Sequence, residues 1–478
     1  MKKILNKYRA LSAPIKASIW FTICNILQKG ISMVTVPIFT RLLTTEQYGV
    51  YSVYQSWYSI IGVFATLNLY YGVFNNGMIK YKGREDEFTS SIQGLTTAVT
   101  GLLFVVYLLG MGYWNETIGL STLLILVMFL DLFTTPAYSF WAARQRFDYK
   151  YKSLVLVTLI IAIGSPLVGL AAVILSTHKA EARIISFVLI QVCIGIFFYS
   201  LNLYRGKRFF DKKYWLYALN FNLPLIPHYL SQSILNQSDR IMINSMIGAD
   251  KAAIYSVAYS ISTLMLLVTS AINSSFIPFT YKCISEKNFA SLRKSANFLI
   301  TLVGIGSIVI IAFGPEIIQL FAPPEYYDAI WIIPPVAVSI YFMFLYPIFG
   351  NIEFYFEANK FVMWASIAGA IVNIGLNLIF LKPLGYLSAG YTTLLCYILF
   401  AVGHYIFMKK VIRLNIPGEK VYDTRYIFIF SILLLVAMFL MVLVYQNLLI
   451  RYLVILVIAS TAVIKRKEIL TSIKDIRK

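Results

Sequence analysis

The sequence predicts an all-α protein that crosses a membrane many times, with about fourteen helices in two six-helix lobes plus two extra C-terminal helices. Three observations predict it. First, the 478 residues are 59% hydrophobic and only 13% charged. A soluble globular chain carries about 25% charged residues, so this composition cannot cover a water-facing surface. Second, the apolar residues fall in continuous runs such as Leu154 to Leu175 and Tyr426 to Tyr445. Each is close to the ~20 residues that cross a bilayer as a helix, and continuous runs exclude the alternation of a barrel strand. Third, a phrase recurs: EQYGVYSV, Glu46 to Val53, returns as DKAAIYSV, Asp250 to Val257, at an offset of 250 − 46 = 204 residues.

In chain order the candidate segments are 16–40, 48–75, 89–111, 118–141, 154–176, 183–203, 216–245, 252–278, 294–321, 328–352, 361–381, 387–408, 426–446 and 450–464. Lys2, Lys3, Lys7 and Arg9 before the first give it the look of a secretory leader. Its apolar run continues to about Phe39, too long for a leader, and no small-residue cleavage site follows, so it reads as a spanning helix. The seventh is the least apolar; Pro224 and Pro227 should break or kink it, because proline removes a helix donor and clashes with the preceding turn. The fourteenth is short.

The net charge of +20 suggests nucleic acid until it is placed on the chain. The N-terminus, every second loop and the tail hold about 33 of the 41 Lys and Arg residues, the opposite loops about 7, and Lys29 lies inside the first segment. That is the positive-inside pattern; it places both termini in the cytoplasm and argues against nucleic acid as a partner. The tail Lys465 to Lys478 reads as a solvated basic flank. Cys24, Cys193, Cys283 and Cys396 are scattered without metal-like or disulfide spacing, and no P-loop, HExxH or CxxC occurs, so no cofactor is expected. The loops are short, which argues against a membrane polymerase or ligase, whose catalytic groups need a long outer loop.

The repeat extends beyond the phrase. Leu42-Leu43 meets Met246-Ile247 and Thr44-Thr45 meets Gly248-Ala249 at the same offset, each in the turn between two segments. Parallel halves of this kind are a transporter design, with the substrate site near mid-membrane. The division that follows is 1–206 for the first lobe, 207–410 for the second, and 411–478 for the last two helices and the basic tail.

GISMVTVPIFTRLLTTEQYGVYSVYQSW (Gly30 to Trp57), LNQSDRIMINSMIGADKAAIYSVAYSIS (Leu235 to Ser262) and FGPEIIQLFAPPEYYDA (Phe313 to Ala329) resemble the corresponding helix passages of bacterial polysaccharide repeat-unit flippases. Those are the Wzx-type members of the multidrug/oligosaccharidyl-lipid/polysaccharide exporter superfamily, and the resemblance covers essentially the whole chain. It implies a secondary transporter rather than an enzyme. The cargo would be an undecaprenyl-pyrophosphate-linked oligosaccharide, moved across the bacterial cytoplasmic membrane by alternating access for capsule, O-antigen or other surface polysaccharide. A cationic cavity would receive the pyrophosphate while the polyprenyl tail stays in lipid, along a groove beside the last two helices. Membrane lipids, and a polysaccharide polymerase with its assembly proteins, would be the other partners. The alternatives are a lipid II flippase, whose first helix carries several arginines where this chain has Lys29 alone, and a MATE-like drug/cation antiporter, which has twelve helices and acidic cavities.

Ionisable groups inside a bilayer are costly and mark function. Thr22, Asn25, Lys29 and Ser32 share one helix face at spacings of three and four, and Lys29 is a point charge suited to phosphate. In the seventh segment His228, Gln232, Asn236 and Asp239-Arg240 form a polar stripe. Lys29, Asn25, Gln232, Asn236 and Arg240 are the expected substrate-binding residues. Asp131, His228, Asp239 and Arg41 are the expected ion-coupling or gate residues, for H⁺ or Na⁺, with Asp131 also a candidate partner of Lys29. Asn373 and Asn377 read as interhelical glue beside Gly369. Trp57, Tyr70, Tyr71 and Tyr229 offer rings for stacking on sugars.

Overall fold

A computed structural model describes residues 12–464; the basic N-terminus and the tail beyond Ile464 lie outside the described residues. The elements are helical throughout. In order they are α1 (Ala13–Leu42), α2 (Thr45–Thr66), α3 (Gly72–Lys80), α4 (Glu85–Leu109), α5 (Met111–Ile118), α6 (Thr122–Phe147), α7 (Tyr151–Leu175), α8 (Lys179–Gly206), α9 (Lys212–Asn222) and α10 (Ile226–Met246). There follow α11 (Ala249–Ser262), α12 (Leu264–Ser285), α13 (Phe289–Ala312), α14 (Gly314–Phe321), α15 (Ile333–Tyr355), α16 (Asn359–Leu384), α17 (Ser388–Asn415), α18 (Thr424–Leu443) and α19 (Leu448–Ile464). Among the described residues, eleven spans are long and apolar enough to cross a membrane, one of them the joined α11–α12; α19 is a shorter apolar helix.

Several of the expected segments are broken helices. Segment 48–75 stops at Thr66, and Leu67 and Asn68 take φ of 49°, left-handed backbone in residues with a Cβ. The hydroxyl of Thr66 accepts from the Asn68 amide at 3.1 Å, and the Asn222 amide donates to the freed Leu67 carbonyl. The seventh segment breaks as its prolines require: α9 ends at Asn222, a single 3₁₀ turn covers Leu223–Leu225, and α10 restarts at Ile226. The residue that closes α9 is therefore the one that satisfies the break after α2. The expected segment 294–321 also divides, into α13 and the short α14.

Some helices begin where side chains supply the missing acceptors. Thr44 and Gln47 form a capping box on α2, Asp211 accepts from the Lys213 and Tyr214 amides of α9, and Asp423 accepts from Tyr426 at the start of α18. The 204-residue offset recurs in the boundaries. α1 ends at Leu42 and α10 at Met246, α2 begins at Thr45 and α11 at Ala249, and α4 begins at Glu85 and α13 at Phe289. Side chains repeat it as well. Ser52 donates to the Tyr48 carbonyl and Ser56 to Ser52; Ser256 donates to Ala252 and Ser260 to Ser256.

The chain forms two compact units that meet at Ile241 and Met242, within α10. In the first, a cluster of Phe74, Phe88, Phe140 and Tyr214 packs around the break after α2, and Trp141 stacks on Phe198 between α6 and α8 at 4.2 Å. Backbone approaches backbone here: a Cβ on Gly206 would lie 2.2 Å from the Asp86 carbonyl oxygen, and one on Gly195 would lie 2.7 Å from the Thr134 carbonyl carbon. Only glycine fits such crossings.

In the second unit α15 is the central helix, buried along most of its length. Ser307 of α13 donates to the Ala337 carbonyl at 3.1 Å, and Tyr341 bonds Ser431 of α18 at 2.9 Å. Asn377 accepts from Thr392 between α16 and α17, both buried, and Cys396 donates to the Gly369 carbonyl at 3.2 Å. Asn377 is thus the interhelical glue its position suggested. Arg451 of α19 reaches α14, 2.7 Å from the Glu316 carboxylate and 2.8 Å from the Ala312 carbonyl, and Tyr452 donates to the other Glu316 oxygen at 3.2 Å. Burial opposes ionisation of Glu316, but the Arg451 hydrogen bond, its helix N-terminus and Tyr452 together outweigh this and hold the carboxyl below its ordinary range.

Candidate functional site

The expected site residues fall in the first unit. Thr22, Asn25, Lys29 and Ser32 lie together on an exposed face of α1, as their spacing requires. Lys29 makes no hydrogen bond or ion pair with the described residues. Asp131 is not its partner. That carboxylate is 1% exposed and takes its hydrogen bonds from Thr135, one turn along α6, and from Tyr58 of α2. Desolvation explains the choice: a buried acid must be satisfied by groups already packed against it, and a lysine on an exposed face is not one of them.

The polar stripe of α10 is present, and its side chains lean on their own helix. Asn236 donates to the Gln232 carbonyl at 2.7 Å, and Arg240 donates to the Asn236 carbonyl at 2.7 Å and to Gln237 at 3.0 Å. Asp239 is buried and engaged. His228 sits half-buried beside Tyr229, and its Nδ1 lacks a protein partner. Arg41 ends α1 exposed and donates back to the Pro37 carbonyl at 2.9 Å. Tyr71 is exposed and packs on Tyr70 at 4.8 Å, beside the break after α2.

Three features escaped the sequence reading. A seam joins α2 to α10: Ser59 bonds Ser233 at 3.0 Å and Ser56 donates to Gln237 at 3.1 Å. Its members recur at spacings of three and four in two apolar segments, and that was the available signal. Arg183 of α8 is buried with its guanidinium 3.8 Å from the Phe39 ring and 4.8 Å from Tyr51, and its Nε and Nη1 have no hydrogen-bond partner. Aromatic faces hold this cation where a carboxylate would be expected. In the second unit Glu353 and His404 are both fully buried, with Nδ1 of the ring 3.1 Å from each carboxylate oxygen. Nε2 has no partner, so the proton belongs on Nδ1, where the carboxylate accepts it.

The first unit therefore offers an exposed, unneutralised lysine beside polar side chains on α1, and a half-buried polar stripe on α10. Groups of this chemistry can bind an anion and hydroxyl-rich groups. Among the described residues no cluster of three or more His, Cys, Asp or Glu is placed to hold a metal.

The family model described as polysaccharide biosynthesis protein matches residues 15–283, and the MatE model matches residues 224–379. A relative from Haemophilus influenzae, the Lsg locus putative protein 1, is 22% identical over 373 residues, covering 75% of this chain and 89% of that protein. Among solved structures, the lipid II flippase MurJ in an inward closed conformation aligns at a TM-score of 0.69 and 14% identity, covering 94% of this chain and 100% of that one. An inward-facing MATE family multidrug resistance transporter of the MOP superfamily aligns at 0.60 and 14%, covering 84% of this chain and 100% of that one. These two likenesses establish the fold.

Proposed function

The chain belongs to the polysaccharide biosynthesis protein family, and from that premise we propose that it carries an undecaprenyl-pyrophosphate-linked oligosaccharide repeat unit across the bacterial cytoplasmic membrane. At the coarser level it is a multi-pass flippase or transporter of a lipid-linked substrate. The observation that carries the finer reading is Lys29, a membrane-embedded cation on an exposed helix face with no acid to neutralise it. A buried ion pair would be structural; an unpaired lysine beside Asn25 suits a pyrophosphate. Gln232, Asn236 and Arg240 would meet the sugar, and alternating access would move the load. Asp131, His228, Asp239 and Arg41 would supply the coupling-ion or gate groups, for H⁺ or Na⁺. Both termini would face the cytoplasm, with the polymerase and its assembly proteins receiving the product outside.

The test is deletion followed by complementation, with lipid-linked repeat units measured in each leaflet. Accumulation on the cytoplasmic side, relieved by the native gene, is the expected result. No accumulation refutes the reading. The second reading, a lipid II flippase, draws on the fold shared with MurJ; it predicts instead that the gene rescues a cell lacking its lipid II flippase.

A further inference from the structure

The second unit carries a basic recess outside the residues assigned to transport. About 1020 Å³ in volume, it opens between the end of α17, the loop to α18 and the start of α13, and Arg293, Lys409, Lys410, Arg413, Lys420 and Arg425 line it. Its two acids, Glu419 and Asp423, do not neutralise them: among the described residues none of the six cations has a carboxylate within ion-pair distance, and Asp423 is occupied in capping α18. Some cations in the basic loops of the first unit do have carboxylate partners. There Arg144 pairs with Asp86, Lys150 with Asp148 at 2.9 Å and Arg208 with Asp211 at 2.9 Å.

The recess is held in shape. Tyr422 is buried and donates to the Ile348 carbonyl at 2.8 Å, Arg293 donates to the Lys420 carbonyl, and Gly418 turns the loop at φ 84°. An apolar groove of about 190 Å³ adjoins it, lined by Phe342, Leu345, Val402, Tyr405, Ile427 and Phe428, and Thr424 lines both. Phe428 and Val402 are exposed at the groove's edge, on helices long and apolar enough to cross a membrane.

We propose that this pair of recesses binds one anionic phospholipid of the surrounding bilayer, its phosphate headgroup among the six cations and an acyl chain in the groove. Charge fixes the headgroup class: basic pockets between membrane helices select anionic lipids, with each cation near the surface adding to the attraction. The groove fixes the orientation, since a chain leaving the cradle passes Thr424 into an apolar channel open to lipid. The site goes beyond the transport reading, and its test does not use transport.

The full-length protein is reconstituted in nanodiscs of phosphatidylcholine with or without phosphatidylglycerol, and the lipid retained after detergent extraction is measured by native mass spectrometry. The native protein should retain phosphatidylglycerol over phosphatidylcholine. The variant K409Q/K410Q/R413Q should bind it on the order of a hundredfold more weakly, from the usual contribution per cation. K82Q/K150Q/K152Q, with equal charge loss in the first unit, should retain it. V402W, on the exposed groove edge, should also lose it with folding intact, and so tests the site even if the triple variant fails to fold. Equal retention by K409Q/K410Q/R413Q or by V402W overturns the proposal, and so does equal loss in the control. Displacement by inorganic phosphate or by a polyprenyl phosphate overturns it too, because the site would then belong to a free anion or to the cargo.

Discussion

His404→Leu should be among the most destabilising single changes in the second unit. The ring and Glu353 are both fully buried, with Nδ1 held 3.1 Å from each carboxylate oxygen. Removing the ring strands a carboxylate where no other described residue pairs with it. Leaving a buried carboxylate without its hydrogen-bond donor costs about 3 kcal/mol. The ring also packs against Tyr346, Phe400 and Phe361 at centroid distances of 4.5, 4.7 and 5.7 Å. Leucine keeps much of that volume, so the packing loss adds only about 1 kcal/mol. The double variant Glu353→Leu/His404→Leu removes the stranded charge and should recover most of the loss, since apolar replacement of a whole buried pair is often neutral. A double-mutant cycle should then give a coupling of about 3 kcal/mol. Reversible unfolding in mixed detergent micelles measures all four species. A His404→Leu cost within about 1 kcal/mol of native, or a double variant as costly as the sum of the singles, refutes the reasoning.

Lys29→Ala should abolish cargo flipping while changing stability by less than about 0.5 kcal/mol, because the side chain is exposed and unpaired; flipping at the native rate removes Lys29 from the mechanism. Glu316 is held below the ordinary carboxylate range when folded, so its contribution is present above the unfolded value of about 4.3 and fades as pH falls through the lower folded one. The stability gap between native protein and Glu316→Gln should therefore be widest near neutrality and close in acid, and a gap unchanged between pH 7 and pH 3 counts against the Arg451 contact. Gly206→Ala would put a Cβ 2.2 Å from the Asp86 carbonyl oxygen and 2.3 Å from the Ser90 Cβ, for a loss of about 1–3 kcal/mol; Gly164→Ala, with nothing within 4 Å, should be neutral or better. Equal melting temperatures for the two variants refute the close crossing.

The spanning helices and the 204-residue repeat were legible because both are written in local order: apolar run length and a recurring phrase. The break before α10 was legible because prolines announce it. The break after α2 was not, because neither Leu67 nor Asn68 is a residue that demands a left-handed turn; Thr66 and the distant Asn222 stabilise it. Lys29 and Asp131 were found as charges in apolar segments, but their environments were not, since partners come from packing. Glu353 and His404 lie 51 residues apart, and each looked innocuous alone. An acid and a histidine in separate apolar helices were the signal, and only the fold joins them.

The seam between α2 and α10 bears on how the protein is made. Ser56 and Ser59 belong to the first repeat, but Gln237 and Ser233, which bond them, belong by sequence to the second. Asn222, which satisfies the Leu67 carbonyl, lies in the second as well. A nascent chain that has delivered only residues 1–206 to the membrane still has an open helix break, and its Ser59 hydroxyl lacks the Ser233 partner. The first unit can close only after α9 and most of α10 have left the ribosome and inserted, so the opening step of the second repeat is also the final step of the first. A gene split after 206 should therefore yield halves that need each other to mature, whereas a split after 241 leaves the first half its own clasp.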